Sequence, residues 1–134
     1  MEAKTQKITP PYKILVTGSR DWEDPAPIWE AIRKQIKKEQ AKGRKKFIVL
    51  HGGAKGADSL ADKVCEDHGI HTAIINARWQ QFDKAAGPIR NNMMLSLVPD
   101  IVLVFHSDIK HSKGTRNCLN ATQRLDIPYK VIKG

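Results

Sequence analysis

The segment HGGAKGAD at residues 51–58 lies between an apolar run and a helical pattern. Glycine adopts positive φ and lets a ligand approach the main chain closely, so such an elbow can hold an anion. Its spacing matches neither GxxxxGK[ST] nor GxGxxG, the two common phosphate-binding signatures. Glycines between a strand and a helix also allow close packing of the two, so the residues alone leave both roles open.

Two further loops place small or cationic residues directly after apolar runs: Gly18, Ser19 and Arg20 in the first, Gly114 and Thr115 in the second. In an open parallel sheet, ligands bind beyond the carboxyl ends of the strands. The helix after each loop directs unpaired N–H groups at the same crevice, and these groups favour phosphate. The three loops together predict an anion site at one edge of a sheet.

Two side chains near these loops have more than one interpretation. Arg90, within GPIRNNMM at 87–94, could clamp a phosphate or carboxylate in bidentate fashion, or be an ordinary surface arginine. Asp58 could cap the helix that follows the elbow or meet a ribose hydroxyl.

Aromatic and metal-ligating residues give weaker signals. Trp22 and Trp79 fall in loops near the expected mouth of the crevice, where one could stack on a base or both could cover the core. His51, His106 and His111 also fall at strand ends or in loops, where histidines usually hydrogen-bond or face solvent. We therefore expect no metal site.

The elements that would position these residues follow from periodicity. Short apolar runs alternate with helical patterns, which predicts a small, Rossmann-like doubly wound α/β sheet, mainly parallel, of about five strands with helices on both faces. Strands are expected at 12–17, 47–50, 72–76, 101–105 and 129–132, and helices at 27–41, from 57 to a stop near 69, at 89–97 and at 115–125.

Length and composition favour a single domain. The chain has 134 residues, 40% hydrophobic and 28% charged, which suits one core at 12–134 after a flexible lead-in at 1–11. No apolar stretch is long enough to span a bilayer, and the N-terminus lacks a signal-like apolar segment. The two cysteines form no CxxC pair, so we expect a cytoplasmic protein without a disulfide framework and without a membrane partner.

The net charge of +9 favours anionic partners. Basic residues concentrate at 33–46, where Glu39 is the one acid and no aromatic residue occurs. A solvated helix face and a nucleic-acid stripe both fit this run, although stacking on single strands has no support within it.

Five segments resemble the SLOG superfamily, and its YspA-like, YpsA-related branch most closely. They are VTGSRDW (16–22), GGAKGADSLA (52–61), AGPIRNNMML (86–95), PDIVLVF (99–105) and KGT (113–115). The resemblance covers about residues 12–132. It implies a Rossmann-like fold, a nucleotide or nucleotide derivative as ligand, no separate cofactor, and assembly into a homo-oligomer. Relatives in the superfamily include the Lonely Guy phosphoribohydrolases and the DNA-processing protein DprA.

Matching the motifs residue by residue extends the site. Arg90, Asn91 and Met94 resemble the RKxxM segment of the phosphoribohydrolases, whose arginine is catalytic. Gly114 and Thr115 match the GT of their PGGxGTxxE signature. The predicted ligand-binding residues are therefore Gly18, Ser19, Arg20, Gly52, Gly53, Gly56, Asp58, Arg90, Asn91, Gly114 and Thr115.

The chain departs from this signature in two places. His106-Ser107-Asp108 and a longer loop replace the PGG, and the glutamate position holds Cys118. A buried neutral thiol cannot replace a carboxylate that stabilises a ribosyl cation. The sequence thus predicts a nucleotide-binding protein of sensor, carrier or sequestering type. The alternatives are an N-glycosidic hydrolase using Arg90 with Asp58 or Asp108, and a DprA-like nucleic-acid binder.

Overall fold

Five strands and four helices alternate along the chain in the computed structural model, which describes residues 10–76 and 86–133. A 3₁₀ turn, Ile109–His111, precedes the last helix. The elements are β1 (Tyr12–Gly18), α1 (Pro25–Gln40), β2 (Phe47–His51), α2 (Ala57–Asp67), β3 (His71–Ile74), α3 (Ala86–Ser96), β4 (Ile101–Phe105), α4 (Lys113–Arg124) and β5 (Tyr129–Ile132).

The strands form one parallel sheet in the order β3-β2-β1-β4-β5, which confirms the predicted Rossmann-like fold. The strand order reverses between β1 and β4, whose last residues, Gly18 and Phe105, pair with each other. Connections on the two sides of this point run to opposite faces, so a crevice opens outside the carboxyl ends of these two strands.

Two apolar layers flank the sheet and explain the continuous apolar runs. Ile14 and Val16 of β1 pack with α1 and α2 on one face, while Leu15 packs with α3 and α4 on the other. Side chains alternate between faces along a strand, so a strand covered on both sides needs apolar residues throughout. All five residues of β4 are buried for the same reason.

Two helices begin earlier than predicted from the sequence because a side chain caps the first turn of each. Helix α1 begins at Pro25 rather than 27 because the Asp24 carboxylate accepts the N–H of Ala26. Helix α4 begins at Lys113 rather than 115 because the Ser112 hydroxyl accepts the N–H of Thr115.

Two further boundaries were also wrong. Helix α3 begins at Ala86 rather than 89, with Pro88 in its first turn, where a proline is tolerated. Strand β3 spans His71–Ile74 rather than 72–76, although one more bond, from the Ile75 N–H to the His51 carbonyl, extends the pairing.

None of the described helices is long and apolar enough to cross a membrane.

Candidate functional site

A cleft of about 630 Å³ opens at the carboxyl edge of the sheet, where β1 and β4 diverge. Four segments that are distant in the sequence line it: the loop after β1, part of the elbow between β2 and α2, the start of α3, and the loop leading into α4. Eight of the eleven residues predicted to bind a ligand meet here: Gly18, Ser19, Arg20, Asp58, Arg90, Asn91, Gly114 and Thr115. Gly52, Gly53 and Gly56 do not line this cleft.

The loop after β1 is held tightly against its neighbours. The N–H of Ser19 donates to the Phe105 carbonyl at 2.9 Å, and the Ser19 carbonyl accepts the N–H of Ala57 at 3.0 Å. A Cβ on Gly18 would lie 2.3 Å from the Phe105 carbonyl oxygen, so only glycine fits. This loop therefore joins β4 to the start of α2 and forms one wall of the cleft.

The elbow between β2 and α2, residues 51–58, uses three of its main-chain donors internally, those of Gly52, Gly53 and Ala54. Oδ2 of Asp58 accepts the N–H of Gly52 at 3.0 Å and that of Ala54 at 3.4 Å. The N–H of Gly53 donates to Nδ1 of His51 at 3.0 Å. An aspartate carboxylate thus takes donors that the sequence assigned to a ligand phosphate.

Asp58 is not the helix cap that the sequence allowed. Gly56 occupies the N-cap position of α2, at φ 85° and ψ −129°, without a side-chain hydrogen bond. Burial raises the pKa of Asp58, while His51, the N–H donors of Ala54 and Gly52, and Arg90 act in the opposite direction. Asp58 is therefore a buried carboxyl group at the floor of the cleft.

His51 stabilises the elbow through hydrogen bonds of both ring nitrogens. Its Nδ1 accepts a main-chain N–H, so Nε2 carries the proton and donates to Asp62 Oδ1 at 2.8 Å. This hydrogen bond is the main reason that the pKa of Asp62 is lowered. Both nitrogens of His51 thus have partners within the protein.

Arg90 crosses from α3 to the elbow. Its Nη1 donates to the Gly52 carbonyl at 2.8 Å and its Nε donates to Asn91 Oδ1 at 3.1 Å. A Cβ on Gly52 would lie 2.1 Å from Nη1, so glycine is needed for this approach. Arg90 also borders a smaller depression of about 440 Å³, lined by Arg20, Gly52, Gly53, Ala54, Lys55, Asn76 and Arg90.

The first turn of α4 is more open. Asn91, which is 3% exposed, donates from Nδ2 to Asn117 Oδ1 at 3.1 Å and to the Gly114 carbonyl at 3.4 Å. A Cβ on Gly114 would meet no protein atom within 4 Å. The first N–H groups of a helix have no intrahelical acceptor and carry a partial positive charge. The Ser112 hydroxyl accepts that of Thr115, and the turn as a whole borders the cleft beside Lys113.

Sequence reasoning did not single out several residues of the cleft. Asn117 lies four residues after Lys113, a helical spacing that returns its side chain to the first turn and could have identified it. Asp108, His106 and His111, which the sequence analysis did name, also line the cleft: Asp108 donates its N–H to His106 Nδ1, and its carboxylate contacts His111 Nδ1 at 2.6 Å. No group of three or more metal-ligating side chains occurs within residues 10–76 and 86–133.

The structure shows the surroundings of Trp22, the first of the two candidate stacking residues. Trp22 is 9% exposed, packs edge-to-face on Phe105 at 5.7 Å, and donates from Nε1 to the Asp24 carbonyl. These contacts favour its alternative role as a cover for the core. Trp79 lies outside the described residues.

Cys118 is fully buried within the apolar layer that holds Leu15 and Met94. Burial raises its pKa to about 11, despite hydrogen bonds with Thr17 and Thr122. At neutral pH it is therefore an uncharged thiol in a core position.

A parallel sheet with a glycine-lined cleft at its topological switch point defines a Rossmann-like protein. The sequence matches the model of YAcAr, the YspA, cpYpsA-related SLOG family, over residues 12–82. The chain belongs to this family, which confirms the resemblance noted from its motifs.

Two known proteins are similar over most of this chain. The Gene 61 protein of Mycobacterium phage D29 is 32% identical over 121 residues, covering 87% of this chain and 92% of that protein. The structure of DNA processing protein A (DprA) from Streptococcus pneumoniae superposes with a TM-score of 0.68 at 18% identity, over 92% of this chain. The chain spans about half (51%) of that DprA chain, and the likeness shows the fold.

Proposed function

We propose that the cleft binds a nucleotide or nucleotide derivative and holds its phosphate at the first turn of α4. The observation that carries this proposal is the open space at Gly114, beside Lys113, in a cleft at the switch point of the sheet that Arg90 also lines. A helix N-terminus with adjacent cations favours a phosphate, and about 630 Å³ lies within the usual range for small-molecule sites.

Each side chain then has a distinct role. Arg90 neutralises charge with the N–H groups that remain after its bonds to Gly52 and Asn91. Asn91 is a positioning residue, because it orients Arg90 and ties α3 to the first turn of α4. Ser19 and Arg20 line the facing wall of the cleft.

Binding without cleavage is the favoured form of this function, because a buried neutral thiol occupies the position of the phosphoribohydrolase glutamate. Cys118 cannot exchange a proton near neutral pH with a pKa of about 11. A sensor, carrier or sequestering protein needs the anion site without that acid.

Asp58 supports a second candidate function, hydrolysis of an N-glycosidic bond. It lines the same cleft as Arg90, and burial raises its pKa, which favours a protonated carboxyl that could donate to a leaving base. Asp58→Asn removes this proton while keeping an acceptor for the elbow.

A ligand panel tests the proposal. Purified protein is titrated with mono-, di- and trinucleotides, NAD, ADP-ribose and cyclic nucleotides by thermal shift, and each ligand is chromatographed after incubation. A raised Tm with the ligand recovered intact supports the binding protein. Release of base or ribose phosphate, lost in Asp58→Asn, favours the hydrolase instead.

Two arginine variants locate the binding. Arg90→Ala should weaken the best ligand at least about tenfold, the usual effect of losing a charged hydrogen bond. Arg124→Ala removes the same charge from the last turn of α4, outside the cleft, and should leave affinity unchanged. Equal losses in both variants, or no saturable ligand at millimolar concentration, would overturn the proposal.

A further inference from the structure

A second groove, of about 730 Å³, lies at the opposite edge of the sheet from the cleft. It runs between the middle and end of α1, the start of β2 and the junction of α2 with β3. It shares no lining residue with the cleft at Gly114. Its lining residues include Trp29, Arg33, Lys37, Lys45, Lys46 and His68, together with Phe47 and His71.

The groove is lined by basic residues, several of which are exposed. No aspartate or glutamate is among its described lining residues. Arg33 is engaged by Glu30 at 2.7 Å. Lys37, Lys45 and Lys46 are exposed and take part in no ion pair among the described residues. Three exposed cations on one concave surface attract a polyanion.

A flat aromatic platform lies among these cations. The rings of Trp29 and His68 stack with centroids 3.7 Å apart at an angle of 13°. Nδ1 of His68 donates to the Val64 carbonyl at 2.8 Å, which fixes the orientation of the imidazole. Trp29 packs against the core, whereas His68 is exposed, so the outer face of the imidazole is open to a partner.

We propose that this groove binds single-stranded nucleic acid, with phosphates on Lys37, Lys45 and Lys46 and a base stacked on His68. Cationic grooves with aromatic platforms bind single strands with little sequence preference. An acidic peptide would satisfy the cations and would not need a flat ring, so the stacked pair favours a base. This binding is independent of the function proposed for the cleft.

The test is fluorescence anisotropy of labelled oligothymidylate and oligouridylate of about 12 nucleotides, a length typical of such sites. The full chain should bind at least one of them, with affinity that falls steeply as salt rises. The variant pair Lys45→Ala with Lys46→Ala should reduce the logarithmic salt slope by about 0.7 for each phosphate that the protein no longer neutralises.

A matched pair controls for net charge. Lys34→Ala with Lys38→Ala removes two cations from the same basic run, and neither residue lines the groove. This variant should retain the salt slope of the natural chain. An equal loss in both pairs would mean diffuse attraction to a basic protein and would overturn the groove as the site.

The stack is tested separately. His68→Ala should weaken binding about fivefold or more, the smaller end of a base-stacking contribution, and His68→Phe should restore it. Arg124→Ala, which lines neither the cleft nor the groove, should leave oligonucleotide affinity unchanged. Binding of a polyglutamate peptide with no oligonucleotide binding, or an oligonucleotide affinity that His68→Ala does not change, would overturn the proposal.

Discussion

The elbow at 51–58 and the first turn of α4 differ in how closely the protein surrounds their glycines, although both contribute residues to the same cleft. In the elbow, Asp58 and His51 accept the N–H groups of Gly52, Gly53 and Ala54. At α4, Gly114 faces open space within the cleft. The segment richer in glycine is therefore the one closed by the protein itself.

This difference separates two reasons for glycine at a strand end. Side chains or main chain approach Gly52 and Gly56 so closely that a Cβ would collide with them. The fold therefore accounts for these glycines without any ligand. No protein atom lies where a Cβ on Gly114 would be, so at this position the fold leaves space within the cleft.

The largest expected effect is that of Gly56→Ala. Gly56 has φ +85°, and its Cβ would lie 2.2 Å from the Ser19 carbonyl oxygen. Backbone strain and overpacking together should lower the free energy of unfolding by at least about 3 kcal/mol, measured by urea denaturation.

Gly43→Ala is the control for this effect. Gly43 also has positive φ, at +97°, but its Cβ would meet nothing within 4 Å. Strain alone should cost about 1–2 kcal/mol. Similar losses in the two variants would show that the elbow is not closely packed on the loop after β1.

Removal of the elbow carboxylate should have the next largest effect. Asp58→Ala leaves the N–H groups of Gly52 and Ala54 without their acceptor and should cost about 2–3 kcal/mol of unfolding free energy. A loss below about 0.5 kcal/mol would indicate that water replaces the carboxylate easily and that the elbow is as open as α4.

Asp58→Asn should change how the free energy of unfolding depends on pH. Because burial raises the folded-state pKa of Asp58, its contribution to stability is present below the unfolded pKa of about 4 and is lost as pH rises through the folded pKa. The Asn variant lacks this loss, so its unfolding free energy should rise relative to the natural chain with increasing pH. A parallel pair of curves would contradict the buried, desolvated carboxyl.

Asn91→Ala should have a moderate effect on stability and on the cleft. It removes donors to Asn117 and Gly114 and the acceptor for Arg90, costing about 1–2 kcal/mol of unfolding free energy. It should also weaken nucleotide binding by misplacing Arg90. A double-mutant cycle checks this role, because the binding effect should largely vanish in an Arg90→Ala background.

Gly114→Ala is expected to have the smallest effect on stability. It gives the clearest test of the difference between the elbow and the first turn of α4. The added methyl meets no protein atom, and alanine favours a helix, so unfolding free energy should stay level or rise by up to about 1 kcal/mol. Nucleotide binding should nevertheless lose about 1 kcal/mol or more if the methyl occupies ligand space. Unchanged ligand affinity, measured by calorimetry, would show that the phosphate does not bind at this turn.

Several features were predictable because they depend on neighbouring residues. Strands β4 and β5 were predicted with the bounds that the structure has, since short apolar runs between turn residues are local signals. The starts of α1 and α4 were missed by two residues because capping by Asp24 and Ser112 depends on side-chain conformation.

The basic groove could not be predicted from residues that are close together in the sequence. The run at 33–46 contains no aromatic residue, so the sequence did not support stacking there. The fold brings His68, from the end of α2, onto Trp29, near the start of α1, and places both beside that run.

The sequence by itself determined the parallel α/β fold and the family, because periodicity, apolar runs and ordered motifs are properties of nearby residues. It also identified the loops that meet at the cleft, because the carboxyl ends of parallel strands share one edge. Only the tertiary structure decided which donors in those loops are taken by the protein. A hydrogen bond depends on ångström distances between groups such as Arg90 and the Gly52 carbonyl, which lie 38 residues apart.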